Sequence, residues 1–134
     1  MTDCTFCKIV NGKVPSKKIY EDEESFAFLD INPFTEGHTL LIPKEHYENI
    51  FDVPEKELKN LIGVSRKISE TLKTKLKCDG INILNSNGKA AQQEINHFHI
   101  HIIPRYLKSK FKLNAENVLK EKSLDKSFKK IREI

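Results

Sequence analysis

The sequence predicts an α+β domain in which a five-stranded antiparallel sheet packs against one long helix. Apolar residues recur at helical spacing over residues 54–76, the longest such pattern in the chain. Five short segments with strand character lie before and after it, without the regular strand–helix alternation of a parallel α/β fold. This order favours an antiparallel sheet with the helices on one side.

Turn residues and changes of periodicity set the expected bounds of the elements. The acidic run at 21–24 turns the chain between the first two strands, and Pro43 ends the third. Near the end, Leu124, Phe128 and Ile131 form a weaker helical stripe. The full prediction is a short helix over 5–11, strands over 18–21, 25–29 and 38–42, the long helix over 54–76, and strands over 81–84 and 97–103.

The most informative segment is residues 97–103, where three histidines alternate with large apolar residues. Residues two apart share one face of a strand, so the three imidazoles would line one face while the apolar residues between them enter the core. Imidazole can transfer protons, attack phosphorus or bind a metal near neutral pH. A solvated row of histidines and a His-x-His zinc pair are the alternatives, and spacing alone does not separate them.

Several further motifs, in the right order, make the chain similar to the histidine triad (HIT) family, which is named after that alternating pattern. The resemblance covers roughly residues 4–106 and implies the HIT fold. A HIT domain is therefore expected over residues 1–107, followed by a basic, mostly helical tail over 108–134 that packs on the same domain. The matching segments are 4–10, 19–22, 30–33, 37–44, 85–88, 91–94 and the triad itself.

The resemblance implies catalytic roles for three histidines. His99, the middle histidine of the triad, would attack phosphorus and carry the nucleotidyl group, which requires one ring nitrogen to be unprotonated. His101 would contact the phosphate or the leaving-group oxygens. His38 would complete the polar surround of the triad.

The resemblance also implies a nucleotide site. Asp30 matches the acidic residue that binds the ribose hydroxyls, and the loop before the triad, with its backbone donors, is a plausible phosphate cradle. Plain core is the alternative for the apolar base-pocket candidates, because a base pocket and a core are both apolar. The base-pocket candidates are Phe6, Ile9, Phe28 and Ile31, and the loop candidates are Asn85, Gly88, Gln93 and Glu94.

Three residues of that loop depart from the family pattern. Ser86 replaces a common amide side chain, Gln92 stands where glycine is usual, and Glu94 takes a position where some members place a hydroxyl. A carboxylate beside a phosphate is repelled unless it turns away or is protonated. These departures bear on the preferred leaving group.

Cys4 and Cys7 form a Cys-x-x-Cys pair, which by itself is compatible with a redox pair, half a zinc site or chance. By resemblance to a subset of bacterial HIT proteins, the pair would bind zinc together with His46 and His97. Four protein ligands make a closed and therefore structural site. Free thiols are the alternative, and Cys78 is expected to be a packed or idle thiol.

Composition narrows the class of partner and the compartment. The net charge of +4 comes from the tail, since residues 108–134 carry a balance of +5 and residues 1–107 a balance of −1. A solvated helix face explains this better than nucleic-acid binding does. With no long apolar run, no secretory signal and three cysteines, a cytoplasmic protein without a membrane partner is expected.

The expected function is a nucleotide hydrolase or transferase that cleaves purine nucleoside phosphoramidates or related nucleoside monophosphate conjugates through a nucleotidyl-histidine intermediate. As in its relatives, the chain would form a homodimer. Two alternatives remain open from the sequence. One is a dinucleoside polyphosphate hydrolase, and the other is a zinc-stabilised nucleotide-binding adaptor with little turnover.

Overall fold

A computed structural model describes residues 3–109 and 123–132 of the 134-residue chain. A single turn of 3-10 helix, Lys89–Ala91, precedes the last strand. The other elements are α1 (Thr5–Val10), β1 (Lys18–Glu21), β2 (Ser25–Leu29), β3 (Thr39–Pro43), α2 (Glu55–Leu76), β4 (Gly80–Leu84), β5 (Ile100–Arg105) and α3 (Leu124–Ile131).

The five strands form one sheet in the order β1-β2-β3-β5-β4, and every neighbouring pair is antiparallel. The predicted α+β class and five-stranded antiparallel sheet are confirmed. The bounds predicted for the first two strands are those observed, and their register shifts at an irregularity between Lys18 and Tyr20.

The sheet separates two apolar cores, because side chains alternate between its faces. The larger core lies under α2 and α3 and includes Leu29 and Leu41. The expectation that the helices share one side is wrong, since α1 covers the opposite face. That face is also apolar, so it needs a cover of its own. Its core consists of Phe6, Ile9, Phe26, Phe28, Leu40 and Ile42.

The strand predicted over 97–103 is also wrong in its bounds, since β5 begins only at Ile100. His97 to His99 run beside the loop after β3, where the Phe98 N–H donates to the Tyr47 carbonyl at 2.7 Å. Residues 97–99 keep the alternation of side chains between the two faces of the sheet although they lie before β5. Phe98 and Ile100 enter the core under α2, and the histidines point to the side of α1.

Two sequence expectations about the remaining chain can be compared with the structure. Cys78, just after α2, is buried, in agreement with a packed thiol. In the tail, α3 packs its apolar stripe against α2 and leaves Lys126, Lys129 and Lys130 exposed, as expected for a solvated basic face. Residues 110–122 of the tail lie outside the described residues.

In the part of the chain that the structure describes, no helix combines the length and apolarity needed to cross a membrane. The finding bears on helical spans alone.

A first prediction concerns Gly37, which has a φ of +86° and sits against the core under α2. A Cβ there would overlap Leu76 Cδ1 and lie 3.3 Å from Pro104 Cγ, whereas a Cβ on Gly12, with a φ of +77°, would meet nothing within 4 Å. Gly37→Ala should therefore lower the free energy of unfolding by about 3 kcal/mol or more, through both strain and overpacking. Gly12→Ala, with strain alone, should cost about 1 kcal/mol.

Urea unfolding of the two variants and the wild type measures the difference. Equal losses at the two positions would contradict the close packing of Gly37.

Candidate active site and metal centre

Four predicted metal ligands converge beside α1. The Nδ1 atom of His97 lies 3.4 Å from Cys4 Sγ and 3.6 Å from Cys7 Sγ, and His46 Nδ1 lies 3.4 Å from Cys7 Sγ and 3.2 Å from His97 Nδ1. Cys4 also caps α1, because its sulfur accepts a hydrogen bond from the Cys7 N–H. Residues that are far apart in sequence thus place four ligand atoms within 4.8 Å of one another.

The backbone selects the metal-binding tautomer of His97. Its Nε2 lies 2.8 Å from the Pro43 carbonyl oxygen, which can only accept, so Nε2 carries the hydrogen and Nδ1 keeps a lone pair toward the two sulfurs. Burial lowers the pKa of His97 to about 4, which keeps the ring neutral at neutral pH. Burial, with Cys4 adding, raises the pKa of the Cys7 thiol to about 11, and a divalent cation beside it would favour the thiolate.

The spacing of these atoms fits tetrahedral zinc. With ordinary Zn–S and Zn–N bond lengths, the edges of the tetrahedron are about 3.5 Å between N and S and about 3.3 Å between two nitrogens. The observed separations of 3.4 and 3.6 Å for N to S, and 3.2 Å for N to N, match both values. The donor set of two thiols and two imidazoles is also one that zinc prefers.

His99 is held with one nitrogen free for chemistry. Its Nδ1 lies 2.7 Å from the His97 carbonyl oxygen and must donate to it, so the lone pair is on Nε2. Burial lowers the pKa of His99, which favours this neutral form. The Phe6 ring stands edge-on to the imidazole at 5.3 Å, and Asn85 Nδ2 donates to the His99 carbonyl at 2.9 Å. The His97 carbonyl and Phe6 therefore fix the ring, and Asn85 holds the backbone of His99.

His38 and His101 form a second pair on the same face. Their hydrogens are on Nε2, whereas the hydrogen of His99 is on Nδ1. The Phe34 N–H donates to His38 Nδ1 at 3.0 Å, so His38 carries its hydrogen on Nε2 and donates it to His101 Nδ1 at 2.9 Å. His101 must then carry its own hydrogen on Nε2. Burial, with neighbouring imidazoles adding, lowers the pKa of His38 to about 3 and that of His101 to about 4.

Asp30 completes a second group whose geometry alone would suit a metal ion, since its Oδ2 lies 3.6 Å from His38 Nε2. The tautomer argues against that use. A nitrogen that carries hydrogen has no lone pair for a cation, and the backbone amide of Phe34 occupies the other nitrogen of His38. The group is better suited to passing or holding a proton.

The loop before the triad is tied together by its own side chains. The Gly88 N–H donates to Gln93 Oε1 at 2.8 Å, and Gln93 Nε2 donates to the Glu48 and Ile95 carbonyls. Asn87 joins the network by bonding to Asn85. In this structure Gly88 and Gln93 therefore shape the loop rather than present free donors.

The structure describes all three residues that depart from the family pattern, and Ser86 among them is partly buried. Gln92 has a φ of +66°, in the left-handed region, which explains why glycine is usual at this position. Glu94 is exposed, and its charge acts to raise the pKa of His99.

The predicted base-pocket residues divide into two groups. Phe6, Ile9 and Phe28 are buried together in the core under α1, and Phe6 also touches the rings of His97 and His99. Ile31 is 69% exposed and stands outside that core.

Sequence reasoning missed the residues that act through the backbone. The Pro43 carbonyl and the Phe34 amide select the tautomers of His97 and His38, and the Phe34 ring stacks on His38 at 5.2 Å. No side-chain pattern signals a backbone contact between segments so distant in sequence. Sequence reasoning also missed the side chain of Asn87, which donates a hydrogen bond to Asn85 within the loop before the triad.

Comparisons with known proteins agree with this geometry. An uncharacterised HIT-like protein of Methanocaldococcus jannaschii is 57% identical over 103 residues, which are 77% of this chain and 79% of that protein. An adenosine 5'-monophosphoramidase of Saccharomyces cerevisiae is 41% identical over 102 residues, which are 76% of this chain and 62% of the yeast protein. A zinc-bound histidine triad family protein from Mycobacterium smegmatis has a TM-score of 0.89 at 36% identity, over 98% of this chain and 91% of that one.

The sequence model of the HIT domain matches residues 11–108, which include the triad and most of the sheet. Together with relatives more than 30% identical over three quarters of the sequence, this match shows that the chain belongs to the HIT family.

Proposed function

We propose that the protein is a nucleotide hydrolase or transferase that cleaves purine nucleoside phosphoramidates or related nucleoside monophosphate conjugates. The observation that carries the proposal is the hydrogen bond from His99 Nδ1 to the His97 carbonyl, because it leaves a lone pair on Nε2 of a buried, neutral ring. The similar yeast protein is an adenosine 5'-monophosphoramidase, which supports this class of substrate.

In the proposed reaction, His99 Nε2 attacks phosphorus and the phosphorus–nitrogen bond to the leaving amine breaks. The amine nitrogen takes a proton from solvent as it departs, and the nucleotide remains attached to His99. Water then attacks the phosphorus and loses a proton to solvent, while the bond between phosphorus and His99 Nε2 breaks. This step releases the nucleoside monophosphate and restores the ring. In the transferase variant, another acceptor takes the place of water.

His101 is proposed to stabilise charge during both steps. Because His38 donates to its Nδ1, the hydrogen of His101 sits on Nε2 and can be donated to the phosphoryl or leaving-group atom. His38 thereby acts as a positioning residue for His101. Asp30, which is next to His38, is proposed to accept hydrogen bonds from the ribose hydroxyls.

The base is proposed to lie against the apolar side chains near α1, with Phe6, Ile9 and Phe28 as inner walls and Ile31 at the exposed rim. The loop of Asn85, Gly88, Gln93 and Glu94 is proposed to form the phosphate side of the nucleotide site. Because Gly88 and Gln93 are bonded to each other, their proposed role is to hold the shape of this loop.

We further propose that zinc occupies the Cys4, Cys7, His46 and His97 centre in a structural role. Bound zinc would supply a crosslink between α1, the loop after β3 and the start of the triad. With four protein ligands, no position is left for a reacting water. His97 would then bind the metal through its ring and orient His99 through its carbonyl.

A homodimer is proposed as well, with a HIT domain over 1–107 and the tail over 108–134. In the isolated chain, β4 is an outer strand of the sheet and Ile83 on it is 46% exposed. Ile62 of α2 is 55% exposed. An open strand edge and exposed apolar side chains are features that a second copy can cover.

The central prediction is that His99→Asn lowers the turnover of an adenosine phosphoramidate at least roughly 10³-fold, as expected when a covalent nucleophile is lost. His101→Ala should cost less, roughly 10- to 100-fold, because it removes charge stabilisation and leaves the attack possible. Single-turnover kinetics with acid quenching should trap a nucleotidyl adduct on His99 in the wild type. Full activity of His99→Asn, with no adduct in the wild type, would reject the mechanism and favour a nucleotide-binding protein with little turnover.

A second prediction is that the purified protein holds about one zinc per chain, since the four ligand atoms form a complete set. The double variant Cys4→Ser/Cys7→Ser should lose the metal and much of its thermal stability, while turnover per folded molecule changes far less. Elemental analysis and thermal unfolding measure the two effects. Immediate loss of turnover on chelation, with the fold intact, would instead indicate a catalytic metal.

A third prediction is a dimer of about 31 kDa at micromolar concentration, twice the 15.5 kDa of one chain. Ile83→Lys should shift the equilibrium toward monomer, because it places a charge on the open strand edge. Sedimentation velocity distinguishes the species. A wild-type protein that sediments only as a monomer would contradict the proposal.

A further inference from the structure

The 30–38 loop joins β2 to β3 and carries three proposed site residues, Asp30 and Ile31 at its start and His38 at its end. The Asp30 N–H donates to the His38 carbonyl at 2.9 Å, and the Phe34 N–H donates to the His38 ring. Asn32 closes a turn by donating to Asp30 Oδ1 at 2.8 Å. The conformation of this loop therefore sets both the place of Asp30 and the tautomer of His38.

The last turn of α3 packs against this loop from the core under α2. Lys130 Nζ lies 3.2 and 3.3 Å from the two carboxylate oxygens of Glu36. A Cβ added at Gly37 would lie 3.8 Å from Ile131 Cδ1, an ordinary contact distance, so the end of the Ile131 side chain lies beside this part of the loop. Ile131 is itself fully buried, and its carbonyl accepts a hydrogen bond from Lys75 of α2. The last turn is thus anchored on α2 and reaches the loop.

The start of α3, unlike its last turn, is not packed directly against the loop. A cavity of about 150 Å³ separates Pro33 and Thr35 of the loop from Ser123 and Ser127 at the start of the helix. A cavity leaves its lining without packing partners on one side. The loop is also held from β5 and the residue after it, because Thr35 Oγ1 donates to the Pro104 carbonyl at 2.6 Å and the Tyr106 hydroxyl donates to the Glu36 carbonyl at 3.0 Å. From α3, Lys130 binds Glu36 and Ile131 lies beside Gly37.

We propose that Ile131 and Lys130 are positioning residues that hold the 30–38 loop in its nucleotide-binding conformation. When their contacts weaken, the loop shifts, the Phe34–His38 hydrogen bond opens and Asp30 leaves its place. The effect on ligand binding rests on the proposed function, since it assumes that Asp30 binds ribose. The effect on the loop itself does not.

The first test compares Ile131→Val with Ile68→Val. Both isoleucines are fully buried in the same core, and both substitutions remove one methyl group, which at position 131 is the Cδ1 that faces Gly37. Ile68 lies about two helical turns before Leu76, the residue of α2 beside Gly37, so the methyl group lost at position 68 is farther from the loop. The two variants should lose similar stability, so they separate positioning of the loop from general weakening of the core.

Only Ile131→Val should speed hydrogen exchange at the Phe34 amide, measured by NMR on the free protein. It should also lower the ratio of affinity for AMP over 2'-deoxy-AMP by at least about twofold, the lower end for mutations that modulate coupling between sites. Ile68→Val should leave the exchange rate at Phe34 and the affinity ratio at their wild-type values.

A second matched pair tests Lys130. Lys130→Ala removes the ion pair with Glu36 of the loop. Lys17→Ala removes the ion pair between Lys17 and Asp125 of α3, which does not involve the 30–38 loop. Faster exchange at Phe34 in Lys130→Ala alone supports the proposal. The proposal is overturned if exchange at Phe34 is the same in Ile131→Val as in Ile68→Val and the same in Lys130→Ala as in Lys17→Ala. If Phe34 exchange responds as expected while the wild type neither binds AMP nor turns over a phosphoramidate, the positioning contact stands and the proposed function fails.

Discussion

The site depends on which ring nitrogen of each buried histidine is tied to the backbone. A carbonyl can only accept, so His97 and His99 each place a hydrogen on the tied nitrogen and a lone pair on the other. An amide can only donate, so the Phe34 N–H leaves His38 with its hydrogen on the far nitrogen. Neutral imidazole rings thus present a lone pair toward the proposed metal centre, a lone pair for the proposed nucleophile, and a hydrogen-bond donor, all in the same small region of the fold.

The sheet makes this division possible because it has two covered faces. Ile100 and Ile102 of β5 enter the large core under α2, which supplies most of the buried apolar surface. His101, between them, pairs with Leu40 of β3 and faces the smaller core under α1. Stability and chemistry therefore lie on opposite faces of the same strand, and the residues of one face can be rigid because the other is packed.

α1 links the metal centre to the proposed nucleophile although it is only six residues long. Cys4 and Cys7 lie in the proposed metal centre, and Phe6 between them contacts the rings of both His97 and His99, at 5.8 and 5.3 Å between ring centroids. So short a helix has little stability of its own in water. Its place on the sheet must come from the burial of Phe6 and Ile9 and from the centre that its two cysteines join.

The sequence by itself determined the class of fold, the strand and helix order, and the alternation of residues 97–103, because side-chain periodicity and turn residues are local properties. Through resemblance to a family pattern, it also indicated the four residues whose ligand atoms the structure brings together beside α1. Tertiary structure alone decided that β5 starts at Ile100, that α1 covers the second face, and that Gly88 and Gln93 bond to each other. It also decided the histidine tautomers, since these depend on backbone groups of Pro43 and Phe34, and a carbonyl or amide looks the same in every residue until the fold brings it to its partner.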